Sequence, residues 1–265
     1  ASSTAQAILQ WQNEAVRLSD AEFSSVVTAG PWPGNASGQW REARLDGSQL
    51  AIDFLSWHSA GKPLGATFPN GLEWAGGLEA LRYSDEGWVF AGLDSALAFS
   101  GPEPDTTHRL GTQGQYLELQ NGRVTGLWAI SYRKETIGDE PSDLTATLQG
   151  KVNATVAHWQ WQTPKLLIGL TENDEQRSHN LSATTLTLDP SAGKWTLSDG
   201  DWSIQTPTVP EQSYGFGVLT GDWPALTLED APDWTAPLNE DLTLLRNELE
   251  WIDALRRELV PTPGS

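Results

Sequence analysis

The chain has 265 residues and a net charge of −19, with only 16 Lys and Arg, 14 tryptophans and no cysteine or methionine. An acidic chain without a basic cluster is a poor partner for nucleic acid, whose binding rests on Lys and Arg. The charge itself reads as solubility. Without cysteine there is no disulfide, no thiol nucleophile and no Cys-ligated metal, and the compartment stays open.

No apolar run approaches the roughly 20 residues of a membrane span, so no membrane-spanning partner role is expected. The abundance of tryptophan and the low charge fraction argue for an ordered core rather than disorder. The chain begins at Ala1 and shows no basic n-region followed by an apolar h-region, so no signal peptide is expected in it.

In chain order, residues 1–34 read as a helical segment. Ile8, Trp11, Ala15 and Leu18 recur at spacings of three and four. Ser19-Asp20-Ala21-Glu22 has the form of a capping box, which predicts a second helical turn. Gly30-Pro31-Trp32-Pro33-Gly34 ends the segment.

From about Gly38 the period changes to two, and residues 35–137 read as a first β module. Turns are predicted at Asp46-Gly47, Asn70-Gly71, Gly76-Gly77 and Glu86-Gly87. The clearest hairpin centres on Asn121-Gly122 between two alternating runs, because a type I′ turn needs positive φ at both central residues. Gly138 to Asp143 reads as a linker.

Residues 144–230 read as a second β module. A strand is predicted over Lys151–Trp161, with Trp159 and Trp161 on one face and His158 on the other. Further turns are expected at Asp189-Pro190, Ala192-Gly193 and Asp199-Gly200. Residues 236–260 read as an amphipathic helix, with Leu238, Leu242, Leu245, Leu249, Ile252 and Leu259 on alternating four and three spacings that only Arg256 breaks. Asn239, Glu240 and Asp241 begin it and Arg256 and Arg257 lie near its end, as the helix dipole prefers.

The expected fold is mainly β, with one or two antiparallel barrel or sandwich modules between an N-terminal and a C-terminal helix. Trp40, Trp57, Trp74, Trp88 and Trp128 are spread through the first module. Five indoles exceed the needs of a small core, which marks them as candidates to line a ligand cavity. Leu242, Leu245, Leu249, Ile252 and Leu259 are candidates for a self-association seam, the alternative being that the helix packs on its own module.

His58, His108, His158 and His179 form no His-x-His or His-x-x-x-His pair, so no metal site is expected. Glu172-Asn173-Asp174-Glu175 lacks the pattern of a calcium loop. No nucleophile elbow, phosphate loop or dinucleotide fingerprint is present, and no catalytic residue or cofactor is assigned.

Thr67-Phe68-Pro69-Asn70-Gly71, His108-Arg109-Leu110 and the stretch Tyr116 to Lys134, in that order, resemble the first barrel of uncharacterised cyanobacterial lipocalin-like proteins with two β modules, which are related to bilin-lyase-type barrels. The likeness covers about residues 38–230, and the long C-terminal helix departs from it. The resemblance implies barrels that carry linear tetrapyrroles or other apolar ligands, and it transfers no catalytic residue.

The leading expectation is therefore a non-enzymatic protein that holds an apolar or pigment-like small molecule. The alternatives are a structural subunit of a homo-oligomeric assembly built on the C-terminal helix, and a carbohydrate-binding or carbohydrate-active protein that uses tryptophan platforms.

Overall fold

The computed structural model describes residues 2–12, 15–27, 34–61, 72–101, 103, 105–138, 141–155, 157–172, 175–208, 210–223, 225–229 and 232–259. The described residues are mainly strand, paired antiparallel, with one C-terminal α-helix among them. Among the described residues no helix is long and apolar enough to cross a membrane. The chain divides into two compact units, Ala1–Thr136 and Ile137–Ser265.

The first unit is an up-and-down meander. Its strands are β1 (Ser2–Gln12), β2 (Ala15–Val27), β3 (Gly34–Asp46), β4 (Gln49–Gly61), β5 (Leu72–Ser84), β6 (Gly87–Ser100), β7 (Thr106–Gln120) and β8 (Arg123–Thr136), each paired with the next. The helix predicted at the N-terminus is not formed, since residues 2–12 and 15–27 are strands. The three-and-four spacing of Ile8, Trp11, Ala15 and Leu18 runs across two strands, the first pair in β1 and the second in β2. The presumed capping box lies inside β2, where ladders to β1 and β3 take up the backbone groups a cap would serve.

The Asn121-Gly122 hairpin forms as its chemistry requires. Asn121 has φ 51 and Gly122 φ 73, and Gln120 pairs with Arg123 across the turn. Asn121→Ala is expected to lower stability by about 1 kcal/mol, because alanine pays more than asparagine in the left-handed region. The shift is read from the urea midpoint, and an unchanged midpoint would count against this origin of the turn. The Gly76-Gly77 turn, by contrast, does not exist, and both residues sit inside β5. Asn70-Gly71 lies outside the described residues.

The second unit contains β9 (Ser142–Ala154), β10 (Trp159–Glu172), β11 (Glu175–Asp189), β12 (Lys194–Gln205), β13 (Gln212–Asp222), the short β14 (Leu228–Glu229) and α1 (Ala236–Leu259). The strand predicted over Lys151–Trp161 is instead a hairpin. It turns at Thr155–His158, where the Thr155 amide donates to the His158 carbonyl at 2.8 Å. The turn predicted at Asp199-Gly200 lies inside β12.

Each unit carries kinks that shift its inward face by one residue. In β7, Thr106, His108 and Gly114 are buried at even positions and Leu117 at an odd one, with the register shift between Gly114 and Tyr116. In β10 the change runs from Trp161 to Pro164 and Ile168, at Thr163 with φ 47. In β12 it runs from Trp195 and Leu197 to Trp202, at Asp199 with φ 48. Bulges of this kind re-aim side chains and bend the strand that holds them.

Candidate functional site

Directly opposed residues on paired strands point to the same side of a sheet, as do residues two apart along a strand. In the first unit this places Gly38, Trp57, Gly76, Ser95, Thr112 and Ile130 in one row across β3 to β8. Trp74 is two residues from Gly76, and Trp128 two from Ile130. Trp40 opposes Leu55, itself two residues from Trp57. Four of the five candidate tryptophans therefore share one face. Trp88, opposite Leu119, continues this face beyond the kink, with its ring 4.6 Å from Tyr83 and 6.4 Å from Phe90.

Small residues make this face possible. A Cβ on Gly76 would lie 2.5 Å from the Trp57 ring and 2.6 Å from the Asp94 carbonyl, so glycine lets the indole rest on the backbone of β5. Trp57 and Trp74 then meet at 5.6 Å between centroids with a 58° tilt. Trp74 Nε1 donates to Ser95 Oγ at 2.8 Å, and Trp128 Nε1 donates to Thr112 Oγ1 at 2.5 Å. Trp74 is nevertheless 48% exposed, while its neighbours Leu72, Leu78 and Ser95 are buried. An exposed indole with its N–H already satisfied presents its apolar rings to whatever lies on the face.

The floor of the same face is closed by His108. It is fully buried, stacks on Phe99 at 5.3 Å and 8°, and shares a hydrogen bond of 2.9 Å between its Nδ1 and the Tyr132 hydroxyl.

A second buried cluster sits in the second unit. Arg177 and His179 are two residues apart on β11 and so face the same way. Asp241 of α1 is fully buried against them. Arg177 Nε donates to Asp241 Oδ2 at 2.8 Å, and its Nη2 donates to Oδ1. His179 Nε2 donates to Asp241 Oδ2 at 2.6 Å, while its Nδ1 accepts from Trp202 Nε1 at 3.2 Å. Both imidazole nitrogens are thus committed, which leaves none to take up a substrate proton. The cluster acts as a clamp that docks α1 onto β11.

Burial pushes the Asp241 carboxyl up, but hydrogen bonds from His179 and Arg177 and the nearby guanidinium outweigh it and hold the group below the usual carboxylate range. The hydrogen bond to Asp241 in turn raises Arg177 above its ordinary value.

The clamp was not legible as a site in the sequence, because its members come from β11, β12 and a helix far along the chain. One signal was present: Asp241 is an acid set among Leu238, Leu242 and Leu245, the buried stripe of α1. Of the seam candidates, Leu242 and Leu245 are buried within their own unit and Leu249 is half-buried. The side chains of Ile252 and Leu259 lie outside the described residues. Among the described residues no group of His, Asp and Glu converges as metal ligands would.

No family model matches the chain, and neither a curated protein nor a solved structure matches it.

Proposed function

We propose that the protein is a non-enzymatic carrier in which the first unit works as a lipocalin-like module, holding an apolar small molecule against its tryptophan face. The observation that carries this reading is the contrast between two inward faces. In the second unit the face that bears His179 and Trp202 is covered by α1 of the same chain. In the first unit Trp40, Trp57, Trp74 and Trp128 share a face over which no helix lies among the described residues, and Trp74 is half-exposed there. Binding would bury that indole surface, a favourable term of roughly 25 cal/mol per Å² of apolar area.

The test is a titration followed by tryptophan emission, with bilins, carotenoids and fatty acids as probes. Saturable quenching is expected with at least one class, together with about ten-fold weaker binding in Trp74→Ala. If no class quenches or raises the melting temperature, the carrier reading fails.

A further inference from the structure

The two units share a plan that bears on the chemistry of the ligand. Trp74 opposes Leu97 and hydrogen-bonds to Ser95, the next residue along β6 on that face. His179 opposes Ile204 and hydrogen-bonds to Trp202, the next residue along β12 on that face. The kinks agree with this match, since Gly92 in β6 and Asp199 in β12 both take positive φ, of 61 and 48. With the kinks aligned, Trp88 falls on Trp195, Asp94 on Asp201, Ser95 on Trp202 and Trp74 on His179. Leu72 then falls on Arg177.

What occupies the face in the second unit is therefore informative for the first. There α1 presents three buried leucines and one carboxylate, and that carboxylate is anchored by Arg177 and His179. The first unit has Leu72 and Trp74 at those two places, and neither side chain carries a charge. Among the described residues of β4 to β8, the positive and negative side chains sit on the opposite face, as do Glu73, Glu79, Arg82, Asp94 and Arg109. The exception is Lys134, at the buried end beside His108, and it is already paired with Glu103 at 3.0 Å. A carboxylate laid on this face would lose its hydration without meeting a cation, which disfavours it strongly.

Donors on this face include the Ser59 hydroxyl, opposite Trp74, the buried Trp57 Nε1, which has no partner among the described residues, and the Thr112 hydroxyl. Thr112 Oγ1 accepts from Trp128, and the hydroxyl proton is left to donate. The rows from Trp74 to Leu78 span about 14 Å along the strands.

Resting on the carrier reading above, we infer that the ligand of the first unit is an elongated, uncharged molecule of rings or conjugated double bonds, with a carbonyl or hydroxyl oxygen that accepts from Thr112. Anionic lipids and carboxylated pigments are disfavoured by the same face.

Three probes of one skeleton separate these classes: all-trans-retinal, all-trans-retinol and all-trans-retinoic acid, titrated into the full chain at pH 8 and read by tryptophan quenching. Retinal and retinol are expected to bind at least ten-fold more tightly than the ionised acid. Thr112→Val is expected to weaken retinal about three- to ten-fold, and Thr112→Ser, which keeps the hydroxyl, to restore it. Acid binding as tight as that of retinal would overturn the inference and leave the carrier reading standing. So would a Thr112→Val variant that retains its near-ultraviolet circular dichroism and binds retinal as the wild type does. Binding of none of the three probes, nor of any probe in the wider panel, would remove both.

Discussion

Replacing Asp241 by alanine is expected to destabilise the second unit by about 3–5 kcal/mol, the usual result of leaving a buried charge without its partner. Arg177 and His179 would both lose their acceptor, and the Leu238–Leu245 stretch of α1 would lose the contact that fixes how it docks. Circular dichroism at 222 nm reads this directly, because α1 is the long helix of the molecule. A urea midpoint like that of the wild type would sink the clamp. The double variant Arg177→Met with Asp241→Leu is expected to recover much of the loss, since apolar replacement of a buried ion pair is often neutral.

The same group sets an acid limit. The Asp241 carboxyl titrates lower in the folded protein than the ordinary value of about 3.9 it has when unfolded. Its contribution is therefore fully present above that unfolded value and is lost as the pH falls through the lower folded one. The midpoint of helix loss is expected to be flat from neutral pH to about 5 and to drop below about 4, and Asp241→Ala should show a shallower drop.

Gly126→Ala is the second large effect expected, at about 2–4 kcal/mol in the first unit. Gly126 has φ 138, a conformation that alanine rarely adopts, and an added Cβ would overlap the Tyr116 carbonyl and come within 3.0 Å of Leu117 Cα. Neither neighbour can yield, because both are backbone of the bulged part of β7. Gly122→Ala is the fitting comparison. It too has positive φ, of 73, but nothing lies within 4 Å of the added atom, so its cost should be nearer 1 kcal/mol. Equal midpoints for the two variants would mean that the close approach at Gly126 has no energetic weight.

These glycines also show why the sequence was legible in some places and not in others. Asn121-Gly122 was readable because the turn is local: both positive φ values fall on adjacent residues with alternating strands on either side. Asp199-Gly200 and Gly76-Gly77 carry the same local signal but serve other ends. Asp199 uses its positive φ to shift the face of β12 without ending the strand, and Gly76 makes room for Trp57. A bulge and a turn call for the same residues, so dipeptide chemistry cannot separate them.

The N-terminal strands resemble a helix in sequence because Ile8 and Trp11 of β1 and Ala15 and Leu18 of β2 happen to fall at helical spacings across two strands. The C-terminal helix keeps its apolar spacing as far as Ile252, and its expected start at residue 236 is the first residue of α1, Ala236.

The candidate tryptophans were visible as a composition excess, but their arrangement was not. Only the cross-strand register reveals that Trp40, Trp57, Trp74 and Trp128 lie on one face and that Trp88 continues that face beyond the kink, beside Tyr83 and Phe90. Register depends on kinks in several strands at once, and no single stretch of sequence encodes it.

The ring pairs have a consequence for spectroscopy. Two indoles close together couple their electronic transitions, and the sign and size of the resulting bands depend on their separation and mutual angle. Trp57 and Trp74 stand at 5.6 Å and 58°, whereas Trp159 and Trp161 stand at 5.8 Å and 29°. The distances are nearly equal and the angles are not, so each unit carries its own exciton signature. Among the described residues each half thus holds a built-in chromophore dimer.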